Sequence, residues 1–304
     1  MGATQERGWT EVRVVVPYGW EELVGEVLSH PPATGAVLGR ISPTEEDPPR
    51  GFELVRSYLP ASEDTPGFRG ELARRVAALS EGGNAPELRG VVLRFRRVPE
   101  KDWVEHWRRH WKPFRVGRLA IVTPDWQGKL RPGDVGLRLE PGRAFGTGRH
   151  ATTRACLRAI QERIRPGQRI LDAGTGSGIL AVASALLGAG SVLAFDVDPN
   201  VRPIFEQLAR QNGVESRCSF RAGGFEALGD EDTGFDGILA NIYHDVLRDE
   251  AAELAGRLAP GGWYAFSGCR ISRRAPVGAA IRSAGLRIEE ERTTVRWVTF
   301  VGTK

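Results

Sequence analysis

The sequence predicts an α/β protein in two parts: a small α+β module, then a larger domain wound around a mainly parallel sheet. Three observations predict it. Residues 9–98 read as strand, helix, strand, strand, helix, strand. Residues 168–285 alternate strands with helices. A glycine-rich turn, LDAGTGSGIL (171–180), joins the first strand of that second part to its first helix. The chain has 304 residues, enough for two domains with a core in each.

In the first part WTEVRVVV (9–16) alternates and is β-branched, so it reads as a strand. YGWEELVGEVLSH (18–30) has helical spacing at Trp20, Leu23, Val24, Val27 and Leu28. TGAVLGRI (34–41) and FELVRSYL (52–59) are expected strands, GELARRVAAL (70–79) a helix, and ELRGVVLRFRRV (87–98) a strand. This is the split βαβ order of a small ferredoxin-like domain, placed at 1–99. KDWVEHWRRHWKPF follows, with Trp103, Trp107 and Trp111 four residues apart. On a helix they form one stripe, read as a domain seam or as a grip on a partner, so 100–115 is taken as a linker helix.

The second part is placed at 116–304. RLAIVTPDW and GDVGLRLEP (118–126, 133–141) read as two strands. After EPGRAFGTGRHATTRACL (140–157), expected strands are 168–174, 191–196, 216–223, 235–242 and 263–268. Expected helices are 177–188, 200–213, 245–262 and 273–285, the third stopped by Pro260-Gly261-Gly262. LRIEEERTTVRWVTFVG (286–302) reads as a closing hairpin, which puts an antiparallel strand into the sheet. In the 140–157 stretch Thr152 and Thr153 stand where a helix N-cap is expected, and Leu157, Ile160 and Ile164 give that helix a buried stripe.

Composition narrows the function classes. No apolar run approaches the roughly 20 residues that span a bilayer, and MGATQERGW carries no signal-peptide pattern. Cys156, Cys218 and Cys269 form no CxxC pair, and the five histidines lack ligand spacing. Reduced thiols, a cytoplasmic location and no metal site are therefore expected. Net charge is +4 overall, yet residues 1–100 hold 12 basic against 15 acidic residues, so the basic excess lies in the remainder. That suits a weak contact with RNA; it also suits a simple bias toward arginine, since only four of the 42 basic residues are lysine.

The chemistry gathers at strand ends. Gly174, Gly176 and Gly178 allow a tight turn and close approach of a ligand to the backbone. A dinucleotide fingerprint in this frame wants glycine at 179, where Ile179 stands. The G-x-G-x-G spacing instead suits S-adenosylmethionine, which has no phosphate to cradle. Asp196 ends the next strand, where a carboxylate can accept from both ribose hydroxyls. Asp198 precedes Pro199 and is expected to cap a helix, and Asp172 to brace the glycine loop. Asn241 ends the fourth strand, at the switch region where α/β ligands bind; its amide oxygen can orient a target amine. The Gly146–Thr147–Gly148 turn can fold over the ligand, with Thr153 reaching it by its hydroxyl. Phe145, Tyr243 and Trp107 can shelter a cation on an aromatic face. His150 and His244 are candidate bases or merely structural groups.

Taken together, EPGRAFGTGRHATT, LDAGTGSGILAVAS, AFDVDP and LANI resemble the ribosomal protein L11 methyltransferase family, PrmA-type, along the whole chain. The resemblance implies a Rossmann-like, seven-stranded class I methyltransferase domain behind a ferredoxin-like substrate-binding domain. It implies S-adenosylmethionine contacts at Thr153, Gly174, Asp196 and Asn241. It implies methylation of amino groups, on lysine side chains or the N-terminus, of ribosomal protein L11, free or in the large subunit, by a monomer. The sequence departs from the family pattern at Thr175, often Cys, at SGCR (267–270), usually SGIL-like, and at YHD (243–245). Other readings are an N-methyltransferase for a different protein or small molecule, a nicotinamide dehydrogenase, and a non-catalytic ribosome-binding module.

Overall fold

In a computed structural model of the chain, residues 8–18, 20–28, 33–38, 48–81, 86–99, 113–139, 148, 150–294 and 296–304 are described. They fall into two compact units, the described residues up to Pro99 in the first and those from Pro113 onward in the second. Most of the expected linker helix lies outside the described residues. Its last residues do not extend it, because Phe114–Val116 is a strand directly behind Pro113.

The first unit is a four-stranded antiparallel sheet of β1 (Gly8–Pro17), β2 (Thr34–Leu38), β3 (Phe52–Pro60) and β4 (Arg94–Pro99) in the order β2-β3-β1-β4. Helices α1 (Glu21–Leu28) and α2 (Pro66–Glu81) complete the split βαβ order. Val12, Val14 and Val16 share one face of β1 and form the core with Val24, Leu28, Val55, Leu59, Leu72 and Val76. The last strand is shorter than the apolar run suggested. Pro86–Leu88 is a 3-10 turn, and Leu88, Val91 and Leu93 still pack against this core. Burial, not strand pairing, explains their apolar character.

The second unit opens with a three-stranded sheet where two strands were expected: β5 (Phe114–Val116), β6 (Leu119–Val122) and β7 (Val135–Arg138). Helix α3 (Ala151–Arg163) holds it through one glutamine. The Gln161 amide donates to the carbonyls of Val116 and Leu157, and its oxygen accepts from Arg118 N.

The main sheet has seven strands: β8 (Arg169–Ala173), β9 (Ser191–Asp196), β10 (Cys218–Ala222), β11 (Phe235–Asn241), β12 (Leu258–Arg270), β13 (Arg287–Thr293) and β14 (Trp297–Thr303). Their order is β10-β9-β8-β11-β12-β14-β13, and β14 alone runs antiparallel to its neighbours, as the closing hairpin predicts. The order reverses at β8, so the crevice falls at the carboxyl ends of β8, β9 and β11. The helices are α4 (Ile179–Leu186), α5 (Val201–Gln211), α6 (His244–Asp249), α7 (Ala251–Arg257) and α8 (Arg274–Ser283). Pro203 sits in the first turn of α5, where no donor is lost.

One expected helix is divided. Residues 245–262 form α6 and α7 with a break at Glu250, and the chain turns to strand at Leu258, before Pro260-Gly261-Gly262. Leu258 is buried, and the Lys304 ammonium donates to the carbonyls of Ala255 and Leu258. Lys304 thus adds side-chain donors at the end of α7, where Ala255 O also accepts from Leu258 N. Among the described residues no helix is long and apolar enough to cross a membrane.

Candidate functional site

The glycine loop joins β8 to α4. Gly174, Gly176 and Gly178 all have positive φ, at 66°, 53° and 84°. Other L residues avoid this region, so glycine is required by the turn itself. Space enforces it too: a Cβ on Gly174 would lie 2.4 Å from Ile242 Cγ2, and one on Gly178 would lie 2.7 Å from Phe205 Cδ2. Gly174 N and Thr175 N both donate to Phe195 O, so the loop is tied to the end of β9.

Two carboxylates hold the loop. Asp172, fully buried, accepts at Oδ2 from the Thr175 hydroxyl at 2.5 Å and from Ala181 N at 3.1 Å. It braces the turn from below. Burial pushes its pKa up to about 7, against the pull of those two donors. Its Oδ1 is buried and has no hydrogen-bond partner among the described residues. Asp196 is half-buried at the end of β9. Its Oδ2 accepts from Gly176 N at 2.8 Å and its Oδ1 from Asp198 N at 3.0 Å. Asp198 does not cap α5, whose N-cap is Asn200; it accepts from Asn200 N and Nδ2 in a turn of its own.

The opposite wall comes from α3 and β11. Thr153, buried in the first turn of α3, accepts from Asn241 Nδ2 at 3.3 Å. Residues 88 apart in sequence thus meet at the strand end that follows the glycine loop in space. The helix cap lies earlier than expected. His150 is the N-cap, its Nδ1 accepting from Thr152 N at 3.3 Å, and its ring stands edge-on to Trp297 at 5.2 Å. A ring nitrogen occupied in this way makes His150 an anchor, not a free base. Cap preferences favour Ser, Thr, Asp and Asn, so the sequence pointed to the threonines instead.

Gly148 has φ 75°, and a Cβ on it would lie 2.8 Å from Ile179 Cδ1. The residue that breaks the dinucleotide fingerprint, Ile179, is thus the one that Gly148 approaches most closely. Phe145, Gly146 and Thr147 lie outside the described residues, as do Trp103, Trp107 and Trp111. Tyr243 is exposed just beyond Asn241. His244 follows it, and burial lowers its pKa further below neutrality. The three cysteines are free, and burial pushes each thiol up to about 12. Among the described residues no cluster of His, Cys, Asp or Glu forms a metal site.

The sequence pattern of the family described as "Ribosomal protein L11 methyltransferase (PrmA)" matches residues 8–304. A protein named ribosomal protein L11 methyltransferase from Pelotomaculum thermopropionicum is 36% identical over 308 residues, covering 96% of this chain and 97% of its own. One of the same name from Symbiobacterium thermophilum is 40% identical over 212 residues, covering 69% and 68%. A solved structure titled ribosomal protein L11 methylase, from Lactobacillus delbrueckii subsp. bulgaricus, is 31% identical with a TM-score of 0.58, covering 64% of this chain and all of its own. The chain belongs to the ribosomal protein L11 methyltransferase family.

Proposed function

From that membership we propose that the chain transfers methyl groups from S-adenosylmethionine to amino groups of ribosomal protein L11, on lysine side chains, the N-terminal amine, or both. The observation that carries the reading is the Asn241–Thr153 hydrogen bond beside the glycine loop. It commits the amide Nδ2 to Thr153 and leaves Oδ1 as an acceptor. An amine that donates an N–H to that oxygen has its lone pair turned away from Asn241, toward the crevice.

The residues present fit the donor molecule. Asp196 offers carboxylate oxygens at the end of β9, suited to a ribose diol. The loop from Gly174 to Gly178 brings backbone close, and Asp172 Oδ1 is a buried oxygen whose hydrogen bonding a ligand can complete. When bound, S-adenosylmethionine supplies a methyl group on a positively charged sulphur that leaves neutral. Asn241 and Thr153 therefore need not protonate a leaving group; they orient the nucleophile, which is where rate is gained in an in-line displacement. A lysine amine with a pKa near 10.4 must first lose its proton, and a crevice that strips water from it favours the neutral form. Residues 1–99 are assigned to binding the protein substrate.

Incubation with labelled S-adenosylmethionine and ribosomes from an unmethylated strain tests this. Label is expected in L11. Label only in another component, or thermal stabilisation by NAD and none by S-adenosylmethionine, overturns the reading.

A further inference from the structure

The two stretches that depart from the family pattern, YHD at 243–245 and the end of SGCR at 267–270, are neighbours in the fold. Asn241 pairs with Ser267, and a Cβ on Gly268 would lie 2.1 Å from Ile242 O, so the chain leaving β11 runs directly against the end of β12. One continues into α6; the other continues into a 3-10 turn, Ile271–Arg273. The His244 ring lies in the field of Arg270 at the end of β12, of Arg273 from that turn, and of Asp245 and Arg248 from its own helix.

Three exposed apolar side chains belong to this edge: Tyr243, Val246 and Ile271. Tyr243 and Val246 are three residues apart at the start of α6 and share a face. They point outward while Leu247 fills the core. The charges are distributed unequally. Arg248 is answered by Asp245 and Asp249, and Arg274 by Glu291, which Arg282 also approaches. Arg273 is exposed and makes no ion pair among the described residues. The edge is therefore apolar with an unanswered guanidinium, beside the residue assigned to hold the target amine.

We propose that Tyr243, Val246, Ile271 and Arg273 form a substrate-docking edge that takes a polypeptide segment carrying a carboxylate and an apolar side chain beside its target amine. The proposal rests on the methyltransferase reading and names what that site selects. An amine-bearing segment without acids meets repulsion from Arg273; a carboxylate on the segment reverses the sign. The apolar contact supplies the desolvation that holds the segment in place. The same guanidinium disfavours the ammonium form of a nearby amine, the form that cannot accept a methyl group. A nucleic acid is the poorer fit, because most of the edge is the apolar surface of Tyr243, Val246 and Ile271, which offers a phosphate backbone nothing to pair with.

The test uses the full chain and paired peptides that carry a lysine next to glutamate, or to glutamine, with one leucine alongside. Wild type is expected to methylate the glutamate peptide with a kcat/KM about tenfold higher, and Arg273→Glu to abolish or invert that preference with S-adenosylmethionine affinity unchanged. Val246→Ser is expected to raise KM for both peptides alike. Equal use of the two peptides by wild type, or an Arg273→Glu preference identical to wild type, overturns the proposal. So does Arg273→Glu weakening a ribosomal RNA fragment while leaving the peptide preference intact. Methylation of intact L11 but of no acidic peptide overturns the docking edge alone. Methylation of neither overturns the methyltransferase reading and the edge with it.

Discussion

The glycine loop and the edge around Tyr243 stand at neighbouring strand ends, yet they are built differently. The loop is held by backbone donors: Gly174 and Thr175 donate to Phe195 O, Gly176 to Asp196 and Ala181 to Asp172. Little there can change without moving a strand. At the edge recognition is carried by exposed side chains on a short helix and a 3-10 turn, where Tyr243, Val246 and Ile271 face solvent. The difference teaches where a shared ligand ends and an individual one begins. A loop held by main chain suits an invariant small molecule, and an edge of replaceable side chains suits a partner that varies.

The strongest way to break this contrast is to alter the backbone side of it. Gly174→Ala places a Cβ 2.4 Å from Ile242 Cγ2 at a φ of 66°. A loss of roughly 1–3 kcal/mol in stability is expected from the strained conformation. Calorimetry should also find S-adenosylmethionine binding abolished; full-strength binding would show that the loop tolerates a side chain and that backbone shape is not the determinant. The next largest effect is expected at Asn241. Asn241→Ala removes the acceptor proposed for the amine and the donor to Thr153. A fall in kcat of about 100-fold with cofactor affinity nearly unchanged is expected, the size of a lost positioning contact. A variant with full kcat removes Asn241 from the reaction.

Much of this contrast was legible in the sequence because it lies in local pattern. The strand-glycine-helix turn, Asp196 closing β9 and Asn241 closing β11 each follow from residue type at an element end. What escaped depends on contacts between distant segments. The Thr153–Asn241 bond spans 88 residues. Histidine is a weak N-cap by preference, and His150 takes the role with its ring against Trp297 from the last strand. The helix expected over 245–262 stops at Arg257, and the Lys304 side chain reaches its end from the last strand. No local window contains both partners of any of these contacts.

Between the two regions in expected size lies Asp172, a carboxylate on the rigid side. Its pKa rises from 3.8 to about 7 through burial. The folded protein therefore holds this proton more tightly than the unfolded chain does. The stability it contributes is fully present below the unfolded value of 3.8 and is lost as pH rises through about 7. Asp172→Asn cannot ionise and keeps an oxygen to accept from Thr175 and Ala181. Its melting temperature relative to wild type is expected to improve from pH 5 to about pH 7 and to level off above it. Parallel melting curves across that range would mean that Asp172 is not held in its protonated form.

The smallest effect on folding is expected on the exposed side. Val246 is 43% exposed on α6, whose core contact is the fully buried Leu247. Val246→Ser removes a methyl pair that the core does not use and puts a better-hydrated group at a helix surface. Stability is expected to change by less than about 0.5 kcal/mol, the range of surface substitutions away from special features. Leu247→Ala, one residue on, empties a core site and is expected to cost about 2–5 kcal/mol. Chemical denaturation of the two variants side by side measures the gap. If Val246→Ser proved as costly as Leu247→Ala, the exposed edge would be part of the scaffold, and its side chains would not be free to serve a partner. With the gap intact, a loss of substrate affinity in Val246→Ser belongs to docking and not to folding.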